Sequence, residues 1–177
     1  IALALLSSTA AMTTAAHVSA ADGDSDQTFF AGRVLHEFGG PSTFSDAAVQ
    51  SDGKIVATGR VELAGVDNIL IARFNTDGSL DTTFNLTGWL SIVLGPGDSE
   101  GTAFLTQADG SIFIHAVSDY TVAPTTYRDA LVIKLTSSGA FDTTYAASSV
   151  TPGVKSLSIS QTTYAGGSSA FAFDSVG

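Results

Sequence analysis

Asp77-Gly78-Ser79-Leu80-Asp81-Thr82-Thr83-Phe84 is a turn phrase closed by an aromatic residue, and the chain carries it three times. An earlier copy, Asp22-Gly23-Asp24-Ser25-Asp26-Gln27-Thr28-Phe29, lies 55 residues before, and a later one, Ser138-Gly139-Ala140-Phe141-Asp142-Thr143-Thr144-Tyr145, lies 61 residues after. Two more blocks recur in the same order. Gln50-Ser51-Asp52-Gly53-Lys54-Ile55 returns as Gln107-Ala108-Asp109-Gly110-Ser111-Ile112, and Ile69-Leu70-Ile71-Ala72-Arg73-Phe74 returns as Ala130-Leu131-Val132-Ile133-Lys134-Leu135. Ordered recurrence at a nearly fixed period is the signature of a repeat architecture. The offset climbs from 55 to 57 to 61, and the extra residues fall near Thr87 and between Ser118 and Arg128. Both places read as polar or Pro-containing connections, where added length leaves a set of strands intact.

Within a unit the pattern is that of strands. Residues 54–60 and 111–117 are short runs rich in Ile, Val and Phe with Gly or Asp at their entrance. Asp52-Gly53 and Asp109-Gly110 sit between two such runs and predict tight type I′ hairpin turns. Four strands per unit follow. They are expected near 33–38, 46–51, 54–61 and 68–74 in the first unit, and near 88–94, 101–107, 111–118 and 129–135 in the second. Residues 77–84 are then expected to carry the chain from the last strand of one unit to the first of the next. Composition agrees, since 22 Ser and 21 Thr stand against only 3 Glu, 3 Lys and 4 Gln, and the chain lacks residues that propagate helices.

From Gln50 to Gly59, and again from Ile71 through the turn phrase to Phe84, the chain resembles the delta-60 repeat of bacterial surface and secreted proteins. The resemblance covers about 22–145. It implies an all-β, propeller-type array of four-stranded antiparallel blades, with units near 22–76, 77–137 and 138–177, the last incomplete. Two departures stand out: Asn85 occupies a position usually held by Gly, and the third unit lacks a Gln-x-Asp-Gly phrase. Gly166-Gly167 is its counterpart of the Gly59 region. The family supplies a fold and an exterior location but no catalytic residues. Closing a propeller takes about four blades, so the sequence is expected to be a fragment of a longer array, ending within the strand-like run at 170–173.

Residues 1–20 hold no Asp, Glu, Lys or Arg, and 13 of the 20 are apolar. The run Ile1-Ala2-Leu3-Ala4-Leu5-Leu6, with small residues continuing to Ala16, is too short to span a bilayer and fits the apolar region of a signal peptide, with cleavage expected after Val18-Ser19-Ala20 and Ala16 as a second position. The domain plan is therefore a leader over 1–20 and a repeat array over 21–177, secreted or at the cell surface, with no membrane span in the mature segment. A net charge of −10 excludes nucleic-acid binding through general basicity. The absence of Cys excludes disulfides and thiolate chemistry.

No catalytic or metal-binding set is assigned from sequence, no cofactor is expected, and the binding residues stay unknown. Asp22-Gly23-Asp24-Ser25-Asp26 resembles the start of a calcium loop, yet Gln27 and Arg33 stand where Gly and Glu are needed. Asp81 and Asp142 read as turn acids, with Phe84 and Tyr145 plugging between blades. Arg73 and Lys134 read as partners of nearby acids. His17 lies in the leader, His115 falls on a strand, and His36-Glu37 has no nucleophile elbow beside it. Trp89, Tyr120, Tyr127 and Tyr164 are candidates either for stacking on sugars or for packing between blades. Asn85-Leu86-Thr87 is a glycosylation sequon. The expected role is a non-enzymatic scaffold partnered by further repeats and by an extracellular protein or glycan. The alternative is a propeller enzyme acting on an extracellular polysaccharide, which requires two acids converging on one cleft.

Overall fold

The computed structural model describes residues 35–157 together with 29 and 33. The leader, its cleavage position, the calcium-like phrase, Tyr164, Gly166-Gly167 and the end of the third unit lie outside the described residues. Eight strands form two four-stranded antiparallel sheets, and no helix occurs among the described residues. The first sheet runs in the order β1 (Ser42–Val49), β2 (Ile55–Leu63), β3 (Val66–Phe74), β4 (Trp89–Ile92). The second runs β5 (Ser99–Thr106), β6 (Ile112–Val122), β7 (Thr125–Leu135), β8 (Val154–Ser156). Each sheet is a meander of neighbours in sequence, so the all-β reading holds and the sheets are consistent with partial propeller blades.

Strand membership differs from expectation. Residues 35–38 form no strand; Phe38 is instead buried over the outer face of the first sheet, edge-on to Phe44 and Trp89, while His36 stacks on Phe74. The fourth place is filled by β4, whose Trp89 pairs with Ala72. Residues 77–84 therefore join two strands of one sheet, and the sheets break at 93–98, so sheet and sequence repeat are out of phase.

The hairpin turns differ too. In Gln50-Ser51-Asp52-Gly53 the Gly53 N–H donates to the Gln50 carbonyl at 2.9 Å, and only Gly53 has positive φ, at 82°. That is a type I turn followed by a left-handed glycine and not the type I′ expected. Gln107–Gly110, Asn75–Gly78 and Thr136–Gly139 close the same way. A two-residue turn with both φ positive does occur, at Ala64-Gly65 between β2 and β3. The residues added between Ser118 and Arg128 lengthen strands and are no loop: β6 and β7 have 11 residues each where β2 and β3 have 9.

The sheets stack front to back. Val56, Ile69, Ile71, Phe84 and Ile92 share one core with Ile112, Ile114, Ala116, Leu131, Ile133, Leu135 and Val154. By the repeat, Ile114, Leu131, Ile133 and Leu135 correspond to Ala57, Leu70, Ala72 and Phe74, which belong to the separate cluster on the other face of the first sheet. Unlike faces therefore meet, and β3 is buried on both sides, which is why it reads as the unbroken apolar run Ile69-Leu70-Ile71-Ala72. Close approach of the sheets needs Gly101, where a Cβ would lie 2.1 Å from the Thr58 Oγ1.

Candidate functional site

Where the sheets meet, the turns Gln50–Gly53 and Gln107–Gly110 stand side by side at one end of the stack. Between them opens a cleft of about 390 Å³ lined by Gln50, Asp52, Arg73, Gln107, Asp109 and Ser137, among others. Its volume falls in the range of small-ligand sites. The turn acids are shaped by their own backbone: Asp52 Oδ1 accepts the Lys54 N–H at 3.1 Å, and Asp109 Oδ1 accepts the Ser111 N–H at 2.8 Å.

The floor is an ionic latch of the first blade, tied to the second by a hydrogen bond from Arg73 to Ser137. Arg73, buried on β3, donates from Nε to Asp81 Oδ2 at 2.7 Å, from Nη1 to the Ser137 carbonyl at 2.6 Å and from Nη2 to Thr83 Oγ1 at 3.2 Å. Its guanidinium also lies 4.9 Å from the centre of the Phe84 ring. Lys54 reaches the same Asp81 oxygen at 2.9 Å. Burial alone would raise the Asp81 carboxyl, but hydrogen bonds from Thr83 and Lys54 and the charge of Arg73 outweigh it, holding the group well below the usual carboxylate range. The second blade repeats the latch in reduced form. Lys134 pairs with Asp142 at 2.9 Å, and bonds from Thr144 and Lys134 lower that carboxyl to about 2. Both acids are thus turn acids, and both repeated cations pair with them, as the sequence implied. Phe84 is fully buried between the blades as expected, packing against Gly139 of the next unit, whose turn accepts the Asn85 N–H at 2.8 Å through the Ser138 carbonyl.

The two turns differ at Ser51, where the second has Ala108, and at Lys54, where it has Ser111, and the second difference changes the hydrogen bonding. In the second blade the Ser111 hydroxyl donates to Gln107 Oε1 at 2.8 Å. In the first, Lys54 occupies that position and turns to Asp81, and Gln50 Oε1 is left buried without a hydrogen-bond partner among the described residues. Gln50 as a whole is 9% exposed. Sequence reading passed over this residue, although the mismatch of Lys54 with Ser111 inside the recurring block was its visible signal.

The other candidates lie apart from the cleft. His36 donates from Nε2 to the Gly78 carbonyl at 3.3 Å, and Glu37 beside it is exposed. His115 is buried with its Nδ1 2.6 Å from Thr102 Oγ1, and burial holds its ring below the usual pKa. Tyr120 and Tyr127 stack on each other across the lengthened hairpin, and Trp89 packs on Phe38. Asp98 Oδ1 accepts the Asp67 N–H, and Asp67 pairs with Arg60. Asn85 of the sequon is exposed, with its Nδ2 donating to the Trp89 carbonyl at 2.8 Å. No group of three or more His, Asp or Glu among the described residues is placed to hold a metal ion.

Residues 50–84 match the model of a family described as a domain of unknown function (DUF5122) beta-propeller. The match runs from the first cleft turn, through β2 and β3, to Phe84, about a fifth of the chain, and supports a propeller-type repeat family. No curated protein and no solved structure matches the chain.

Proposed function

We propose that the chain is part of an exported, non-enzymatic scaffold of delta-60-type repeats that works at the cell exterior by binding a protein or glycan. The observation that carries this reading is the commitment of the recurring charged groups. Asp81 and Asp142 are held by cations and by their own turns, and Asp52, Asp77 and Asp109 each accept a backbone N–H two residues on. A hydrolase needs an acid and a base poised on either side of a scissile bond. Here the repeat multiplies turns and latches, which suits the display of binding surface. Export is supported by the uncharged apolar stretch over 1–20.

The purified protein incubated with extracellular polysaccharides is expected to release no new reducing ends. Cleavage that disappears on Glu37→Gln or Asp98→Asn would overturn the scaffold reading. The secreted product is expected to begin at Ala21 on N-terminal sequencing, and recovery of an uncut cytosolic protein would end the export proposal.

A further inference from the structure

The geometry points to a ligand for the cleft between the two Gln-x-Asp-Gly turns: we propose that it binds a primary ammonium group on an alkyl stem. This rests on the binding-scaffold reading and gives it a chemistry. Among the described residues, the cleft leaves one buried polar side-chain atom unsatisfied. Gln50 Oε1 is a buried acceptor with no donor among the described residues, a state that costs about 1–3 kcal/mol and is relieved when a donor arrives. Asp52 and Asp109, both exposed on the rim, each use Oδ1 within their own turn and present a second carboxylate oxygen.

The charged donors at the cleft are already engaged. All three guanidinium nitrogens of Arg73 are bonded, and Lys54 is held on Asp81. Lys134, whose charge is felt at Asp109, is held on Asp142. The site therefore offers one unpartnered buried acceptor beside two carboxylates that no side-chain cation neutralises through an ion pair among the described residues. An ammonium brings three donors and no acceptor. A neutral sugar brings as many acceptors as donors, and no aromatic ring lines the cleft for it to stack on. The net charge of −10 adds a field that draws cations and is screened by salt.

The test is a titration of the full chain followed by amide NMR, with three probes at low salt: Nα-acetyl-lysine methylamide, its Nε-acetylated neutral form, and 1-aminopentane. Both amines are expected to shift the amides of 50–53 and 106–110, and the neutral form is expected not to. Tighter binding of the lysine derivative assigns the site to a polypeptide partner, and equal binding assigns it to free amines. Asp52→Asn with Asp109→Asn keeps the turn acceptors and removes the charge. It should weaken binding about tenfold or more, as losing charged hydrogen bonds does. Gln50→Leu should weaken it several-fold while leaving the melting temperature at or above wild type, because it removes a buried unpaired amide. The proposal is overturned by equal binding of the neutral probe, by affinity unchanged in both variants, or by calcium chloride shifting these amides where the amines do not. Loss of amine binding ends this proposal alone, whereas polysaccharide cleavage ends the scaffold reading beneath it.

Discussion

Asp81 is 3% exposed between Lys54 and Arg73, and its strength lies in being charged. Its carboxyl is held below the ordinary value of 3.8, so the unfolded chain takes up a proton there before the native chain does. The stabilisation is therefore complete above that value and drains away as pH falls below it. Asp142, lowered to about 2, adds to the same acid limb. Asp81→Asn leaves two cations facing a neutral amide, one of them buried, and should cost about 3–5 kcal/mol in urea unfolding at pH 7. The gap to wild type should narrow between pH 4 and pH 2, and a gap independent of pH would show that the charge is not what holds the latch. Two alanines make the opposite case. Ala64 at φ 54° and Ala146 at φ 47° occupy the left-handed region, which costs an L-residue with a Cβ about 1–2 kcal/mol. Ala146 is the repeat counterpart of Asn85, itself at φ 49°, so both units place a left-handed residue here, a conformation that suits Gly or Asn better than Ala. Ala64→Gly and Ala146→Gly should each raise stability by about 1 kcal/mol, measured by urea unfolding.

At the level of elements, the sheets touch through β5 lying on β2 and β3, and Gly101 sets how closely. Gly101→Ala drives a methyl into Thr58 Oγ1 and should cost about 1–3 kcal/mol, as overpacked cores do. Adding Thr58→Ala, which frees that space, should recover part of the loss, and strict additivity of the two changes would argue against the contact. The central strands were legible because their signal is local: 54–61, 68–74, 111–118 and 129–135 all fall on observed strands, set by β-branched runs between Gly turns. What sequence misplaced depended on long-range pairing. Residues 33–38 carry a strand-like pattern, but the fourth strand of the sheet is Trp89–Ile92, paired on β3 at the edge opposite β1, and Phe38 covers a face instead. Asp-Gly announces a turn without fixing its type, because a left-handed Gly53 serves either geometry and the φ of Asp52 decides. The lengthened β6–β7 hairpin looked like a loop from its polar residues. Its cross-strand Tyr120–Tyr127 stack and the Asp119–Arg128 ion pair make it a ribbon instead. The cleft was half visible, since both turn blocks were found by their recurrence, while their juxtaposition required the stacking of the sheets.

For the molecule as a whole, front-to-back stacking means that each blade offers one kind of face and receives another. Such an interface does not close on itself in pairs; it propagates until a ring forms or something caps it. The outer face of the first sheet, with Leu70, Ala72 and Phe74, is the counterpart of the face by which the second sheet is held. It is covered by Phe38, 2% exposed, with His36 stacked on Phe74 beside it. This segment does for the first blade what capping units do for other repeat arrays, shielding an apolar face that would otherwise seek a neighbour. Phe38→Asp should lower stability by about 3–5 kcal/mol, the usual loss for a buried aromatic, and uncover that face. The variant is then expected to associate with rising concentration in sedimentation velocity, more so than a Glu37→Ala control at the exposed neighbouring position. If Phe38→Asp instead sedimented as the wild type does and melted at the same temperature, the segment would not be a cap. The first sheet would then need some other cover for its apolar outer face.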